Sequence, residues 1–432
     1  MLGAMPAVRT ERTADVSVDV VIVGAGFAGA TLACALARGG LQVAVVDRQS
    51  LEAMAAPGFD GRASAVSLSS KRLLAAVGIW RHLAGEAQPI EDIRVSDARD
   101  CPRNGGGDAS HLFLHYDHRD VGDEPFGYMV ENRHLRQAML NEIATARGAA
   151  RVAPATVGSI ERTLSEARVA LADGRALHAP LVVAADGRKS FVRSSAGIPM
   201  TEWSYPQVGI VCTVAHERAH RGVAHERFLS SGPFAMLPLT GNRSSIVWTE
   251  RRHLARTYMN LGAVEFEAEV ARRFGDFLGS VEVIGERWCH PLSFLHAARY
   301  VEPRLALIGD AAHGMHPVAG QGVNMGWRDV GALAEVLVDA NRLGLDLGGV
   351  DVLERYQRWR RFDNLAMLLL TDGLNRLFSN NIGPVRLARD LGLAAVNNAP
   401  PLKRFLMRYA MGLVGELPRL MQIGRASCRE RV

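Results

Sequence analysis

Residues 18–23 read Val-Asp-Val-Val-Ile-Val, an almost unbroken β-branched run typical of a strand covered on both faces. It stops at Gly24-Ala25-Gly26-Phe27-Ala28-Gly29, after which apolar residues at helical spacing (Leu32, Leu36) lead to Gly39-Gly40. A second strand-like run, Leu41 to Val46, ends at Asp47. Strand, glycine turn, helix and strand make a βαβ unit. Two more runs of the same kind, 181–184 and 305–308, lie far along the chain, and each is followed by paired Asp and Gly. Between about 200 and 295 the pattern alternates instead, as in Gly209 to Val214 and Ser244 to Thr249, which predicts antiparallel strands with one face covered. From about 346 it turns helical, with Leu365, Leu368 and Leu369 on one side. A second helical stripe follows in Leu402, Phe405, Leu406, Tyr409, Leu413, Val414 and Leu417. The final GRASCRERV has no periodicity.

The pattern predicts an α/β protein with a discontinuous Rossmann-like nucleotide-binding domain at 15–80, 130–198 and 296–345. A β-rich substrate domain, 81–129 and 199–295, is inserted into it, and a C-terminal helical region covers 346–422. A length of 432 residues agrees with more than one hydrophobic core. The net charge of +5 changes the picture little. The cations are arginines dispersed among acids, with lysine only at 71, 189 and 403, so no nucleic-acid-reading face is expected. Five cysteines, widely spaced and without a CxxC, argue against a disulfide framework and a zinc cage, and point to a reducing, cytoplasmic setting. Neither a signal-peptide core nor a run of membrane-spanning length is expected.

The glycines carry the first chemistry. Gly24 permits a tight turn, Gly26 lets a pyrophosphate approach the backbone, Gly29 lets the helix pack on the strand, and the helix start offers free N–H donors to phosphate. Asp47, about 20 residues on, is placed for the hydroxyls of an adenosine ribose. A bare glycine turn would explain GxGxxG but not the complete order; the dinucleotide is NAD or FAD at this point. Asp186-Gly187 and Gly309-Asp310 each end a strand, where a carboxylate can accept hydrogen bonds from a ribitol or a second ribose. Each Asp alone reads as a helix N-cap. Together with GxGxxG they imply a long cofactor lying across the sheet.

These motifs, with Asp60-Gly61-Arg62, "GYMVENRHLRQAML" (127–140), "SGPFAMLPL" (231–239), "SSIVWTE" (244–250), "GDAAHGMHPVAGQGVNMGWRDV" (309–330) and "LERYQRWRRFDN" (353–364), span nearly the whole chain. In them the sequence resembles the FAD-dependent aromatic hydroxylases of the p-hydroxybenzoate hydroxylase class, and within it the UbiH-like ubiquinone-biosynthesis hydroxylases. The resemblance implies bound FAD, NAD(P)H as a transient reductant and O2 as co-substrate, acting through a flavin C4a-hydroperoxide on a polyprenylated phenol. It implies cofactor contacts from Asp47 to the adenosine ribose, Arg62 near the pyrophosphate, Asp310 to the ribitol, Asp186 in a motif shared by FAD and NAD(P)H, and either Asn132 or Arg133. It also implies that His313 to Asn324 passes the flavin ring, with Pro317 near its face. There Gly320, Gln321, Gly322, Val323 and Asn324 offer backbone N–H groups to the anionic reduced ring. Bulky side chains would obstruct both ring and donors.

His313 and His316 read as structural, and His111, His115 and His118 do not form a metal pattern; no metal is expected. Phe234, Met236, Leu237 and Pro238 are candidates for an apolar wall over the flavin, or for ordinary sheet core. A membrane-resident phenol calls for a route to the membrane. "PLKRFLMRYAMGLVGELPRL" sets an apolar stripe against Lys403, Arg404 and Arg408, as an interfacial helix would, or as a helix packed on its own domain or a dimer partner would. Expected partners are therefore a hydrophobic aromatic substrate, the inner membrane face reached peripherally, and other quinone-biosynthesis proteins. Two rival readings are a hydroxylase of a soluble aromatic compound and a non-catalytic lipid carrier on a flavin fold; the intact glycines and both Asp motifs argue against the carrier.

Overall fold

The computed structural model describes residues 15–54, 61–83, 85–98, 109–315, 320–379, 389, 392 and 395–422. Its centre is a six-stranded sheet in the order Val301–Glu302, Leu305–Leu307, Leu181–Ala184, Val20–Val23, Val43–Val46, Ala149–Val152. All neighbours are parallel except the first pair. Strands buried on both faces need apolar residues at every position, and 20–23, 43–46 and 181–184 are buried throughout. The Phe27–Arg38 and Gly322–Arg342 helices lie together, and the indole N–H of Trp327 donates to Thr31 Oγ1 at 3.2 Å. The register sets Val23, Ala184 and Leu307 level, so three segments distant in sequence leave the sheet side by side.

The alternating region forms an eight-stranded sheet, in the order His313–Gly314, Val281–Ala297, Met200–His216, Arg243–Arg251, Gly232–Leu239, Val223–Leu229, Asp92–Ala98, Ala109–Asp117. Gly209 to Val214 and Ser244 to Thr249 pair antiparallel, as the alternation predicts. Its one parallel pairing, 223–229 with 92–98, joins chain from before and after the central strand 181–184. One face packs Phe234, Met236, Ile246 and Trp248 against the helices Arg252–Met259 and Ala263–Phe274. The short strand His313–Gly314 pairs with Leu295 and His296, which ties the Gly309-Asp310 turn of the central sheet to the edge of the larger one.

At the C-terminal end two expectations need correction. The Val350–Phe378 helix does not bury Leu365, Leu368 and Leu369 together: Leu368 is buried, but Leu369 is exposed. Its inner face mixes apolar side chains with buried Arg360, Asn364, Asp372 and Asn375, each of which finds a partner there. Tyr205 donates to Asp372 at 2.7 Å, and Asn375 donates to Gln207 at 3.0 Å. Leu413, Val414 and Leu417 belong to no helix, since Pro400–Ala410 ends with a left-handed turn at Gly412. That helix is packed on its own chain along one side, where Met407 and Met411 join Leu68, Tyr116, Phe228 and Phe378.

Candidate active site

Three turns meet at the carboxyl edge of the central sheet. Gly24 follows Val23 with φ of +102°, and a Cβ there would stand 2.4 Å from the carbonyl oxygen of Ala185. A Cβ at Gly29 would lie 1.9 Å from the Gly24 carbonyl, so these two glycines hold strand, helix and neighbouring turn in contact. Gly26 is different: it caps the Phe27–Arg38 helix, lines a cavity, and has no atom within 4 Å of where its Cβ would stand. Open space beside a helix start is where a phosphate can reach free backbone donors.

The cavity holds about 650 Å³ and extends from this edge to the face of the eight-stranded sheet opposite its helices. Gly26, Gly187, Gly309, Asp310, Gly320, Gln321, Gly322, Val323 and Asn324 line it. Gly24, Gly29, Asp47, Arg62, Asn132, Arg133 and Asp186 are not part of this lining. Pro317, with His316, lies outside the described residues. Asp47 holds the glycine turn itself: its Oδ2 accepts from Ala25 N at 2.8 Å and its Oδ1 from Gln49 N at 2.8 Å. Asp186 Oδ2 accepts from Val192 N at 3.1 Å, whereas its buried Oδ1 has no hydrogen-bond partner among the described residues. An orphaned buried carboxylate oxygen beside a nucleotide-type turn fits a hydroxyl-bearing ligand. Asn132 and Arg133 differ in surroundings. Asn132 Oδ1 accepts from Ser64, a cavity residue, at 2.7 Å, while Arg133 is paired with Glu131 at 2.7 Å. Arg62 is exposed, and its carbonyl accepts from Asn132 N.

The Gly322–Arg342 helix begins at the cavity and is clamped there. Asn324 accepts from Ser67 N at 2.9 Å and donates to Ala65 O at 2.8 Å, and Gln321 Nε2 donates to Ala410 O at 3.2 Å. One turn on, Asp329 forms a buried hub whose oxygens accept from Gly309 N (3.1 Å), Arg360 Nε (3.0 Å) and Asn364 Nδ2 (3.0 Å) and meet His313 Nε2 at 2.5 Å. Burial alone would raise the Asp329 pKa, but His313, Arg360 and Asn364 outweigh it and hold it at about 2. His313 is thus bound into the scaffold. Arg193, also buried, donates to Ala311 O and Arg188 O, both at 2.9 Å, and so joins the 186–188 turn to the 309–311 turn.

The wall expectation needs correction. Of Phe234, Met236, Leu237 and Pro238, only Leu237 lines the cavity. Strand residues alternate between faces, so Pro233, Ala235 and Leu237 face the cavity, and Phe234 and Met236 face the helices behind. The alternating pattern was visible in the sequence, but which phase meets the ligand was not. Val247 and Thr249, within the quoted stretch 244–250, also line the cavity, and so does Glu226, which no motif marked. Among the described residues no group of three His, Cys, Asp or Glu side chains is placed to hold a metal.

The comparisons with known proteins agree with this geometry. Residues 17–362 match the family described as "FAD binding domain". The chain is 54% identical over 413 residues to the ubiquinone hydroxylase UbiL of Rhodospirillum rubrum, covering 95% of this chain and 94% of that protein. It is 36% identical to the 3-demethoxyubiquinol 3-hydroxylase of Escherichia coli, covering 91% and 98%. Among solved structures, p-nitrophenol 4-monooxygenase PnpA of Pseudomonas putida superposes with a TM-score of 0.75 over 93% of this chain and 100% of that one. At 18% identity that likeness is one of fold. A helix start open to phosphate, an orphaned carboxylate and a second helix start at the cavity accommodate the cofactor of that family, and the chain belongs to the FAD-binding-domain family of flavoprotein monooxygenases.

Proposed function

We propose that this protein hydroxylates the ring of a polyprenylated phenol in ubiquinone biosynthesis, with NAD(P)H as a visiting reductant and O2 as co-substrate. The observation that carries this reading is 54% identity to a ubiquinone hydroxylase along almost the full length of both chains. An apolar sheet wall facing two helix starts across 650 Å³ agrees with it. FAD, when bound, supplies the electron transfer and oxygen activation. The chain's part is to hold and orient. Gly24, Gly26 and Gly29 shape the turn that takes the pyrophosphate, with Arg62 nearby. Asp47 serves the adenosine ribose, Asp310 the ribitol, and Asp186 with Gly187 the motif shared with NAD(P)H. Asn132, through Ser64, is better placed toward the cavity than Arg133. The amides of Gly320, Gln321, Gly322, Val323 and Asn324 stabilise negative charge on the reduced ring, and Pro317 borders its face. In this reading the cofactor domain is 15–80, 130–198 and 296–345, and the substrate domain 81–129 and 199–295.

Purified holoprotein should oxidise NAD(P)H faster with a prenylated phenol than with phenol itself. Supplied to a quinone-deficient host, it should consume one prenylated intermediate and yield a product heavier by one oxygen. Equal stimulation by phenol, with no intermediate consumed, would replace this reading with a hydroxylase of soluble aromatics.

Access to such a substrate points to the C-terminal side. Among the described residues no helix is long and apolar enough to cross a membrane. Leu402 and Phe405 are 47% and 51% exposed, and Arg404 and Arg408 border the same shallow cleft as Phe405. Exposed apolar side chains beside arginines suit the headgroup boundary of an anionic leaflet. We place the membrane contact there; the other quinone-biosynthesis proteins are proposed partners at the same surface.

A further inference from the structure

The cavity wall made by the eight-stranded sheet is apolar along two successive cross-strand rows, except at one position. Pairing aligns Ile93, Ala224 and Leu237 in one row, and Val95, Glu226, Ala235 and Val247 in the next. All seven line the cavity. Glu226 makes no hydrogen bond or ion pair among the described residues, and burial alone lifts its carboxyl to about 7. Its neighbours in sequence are engaged elsewhere: His225, which also touches the cavity lining, has its ring tilted against Phe277 at 4.7 Å, Arg227 lies 5.6 Å over the same ring, and Arg94 is paired with His225 in the ladder. The titratable and charged groups bordering the same space are His225 beside it in the chain, Tyr116 on the outer strand Ala109–Asp117, and Arg188, Asp310 and His313 on the walls formed by the central-sheet turns. None of these is among the causes of the Glu226 shift. A carboxyl buried without a protein partner is costly, and a donor from a ligand removes that cost.

Resting on the proposed function, we infer that Glu226 is a catalytic residue that accepts a hydrogen bond from the ring hydroxyl of the phenolic substrate and takes its proton as the ring is attacked. The substrate O–H bond breaks, its electron pair stays on oxygen, and the proton passes to a Glu226 carboxylate oxygen. Electron density rises at the ring carbons ortho and para to that oxygen. Once the attacked carbon has lost its hydrogen as a proton and aromaticity returns, Glu226 gives its proton back, unchanged over the cycle. One oxygen atom of O2 enters the ring, the other leaves as water, the proton from the attacked carbon goes to solvent, and the two reducing electrons come from NAD(P)H. A resting phenol, with a pKa of about 10, keeps its proton against such a carboxylate, so transfer waits for charge to develop on the ring. The same hydrogen bond turns the ring toward the helix start at Gly320–Asn324.

The test uses holoprotein, Glu226→Gln and Glu226→Leu, with a short-chain prenylated phenol and its O-methyl ether as probes. Binding is read from the flavin absorbance change, and coupling from product formed per NAD(P)H oxidised. Both variants should keep FAD; Glu226→Leu should bind the phenol roughly tenfold more weakly, as expected for loss of a hydrogen bond to a charged group, and Glu226→Gln, which keeps a neutral acceptor, by a smaller factor. The ether, which has no proton to give, should bind equally to all three proteins. Wild-type coupling should rise with pH through about 7, and that of Glu226→Gln should be flat. Unchanged phenol affinity and an unchanged pH profile in both variants would overturn the role of Glu226. A wild-type protein that binds neither probe would overturn the proposed function itself, a different outcome.

Discussion

At the scale of single residues, two glycines two positions apart separate structure from ligand. Gly26 leaves empty space where a side chain would stand, so Gly26→Ala should fold with stability within about 0.5 kcal/mol of wild type yet fail to retain FAD. Gly24 has positive φ and a carbonyl at 2.4 Å, so Gly24→Ala should cost roughly 1 to 3 kcal/mol in denaturant melts. Equal loss of stability in both would remove the distinction. Glu226 makes a prediction of its own through linkage. Its folded pKa of about 7 lies above the usual value of about 4.3, so the stability it allows is complete below pH 4 and is lost as pH rises through 7. Glu226→Gln should therefore match wild type at pH 4 and exceed it by roughly 1 to 3 kcal/mol at pH 8, measured by urea unfolding. Residue identity told where glycine was needed. It did not mark Glu226, because a lone Glu within an alternating strand looks like any solvent-facing position.

Elements show why. A strand presents two faces, and the phase that meets the cavity was set by the pairing of 223–229 with 92–98 and of 232–239 with 243–251, not by each strand's own residues. Phe234 and Met236, the larger apolar side chains, went to the helix-covered face, and the smaller Ala235 and Leu237 were left to border the ligand. Ala235→Phe should fill the cavity, abolish substrate-stimulated NAD(P)H oxidation and leave the flavin spectrum in place; retained stimulation would show that the ring binds elsewhere. The helix start at Gly322 is likewise held from outside. Asp329 joins that helix to Gly309, His313, Arg360 and Asn364, so Asp329→Asn leaves the buried Arg360 guanidinium with Asp363 alone as counter-charge and should destabilise by about 3 kcal/mol. Because its carboxyl titrates at about 2, the contribution of Asp329 is complete above the usual carboxylate value near 4 and is lost as pH falls toward 2. Acid unfolding of wild type and Asp329→Asn should converge there.

For the whole molecule, the C-terminal helix has two sides with different fates. Met407 and Met411 are part of a core cluster, whereas Leu402 and Phe405 face out beside Arg404 and Arg408. Replacing Leu402 and Phe405 together by Glu should reduce sedimentation with anionic vesicles at least tenfold, with melting temperature and flavin content unchanged. Binding equal to wild type would move the membrane contact to another face. The sequence by itself determined the strand-turn-helix unit, the recurrence of the same strand type at 181–184 and 305–308, and the antiparallel region between, since these follow from local period and from glycines whose turns admit nothing else. Only the tertiary structure decided which strand face borders the cavity, that Glu226 is the one carboxyl this sheet brings to it among the described residues, and that Asp329 gathers partners from 309, 313, 360 and 364. Each of these depends on contacts between segments far apart in the chain, where burial and partner, rather than local pattern, fix what a side chain does.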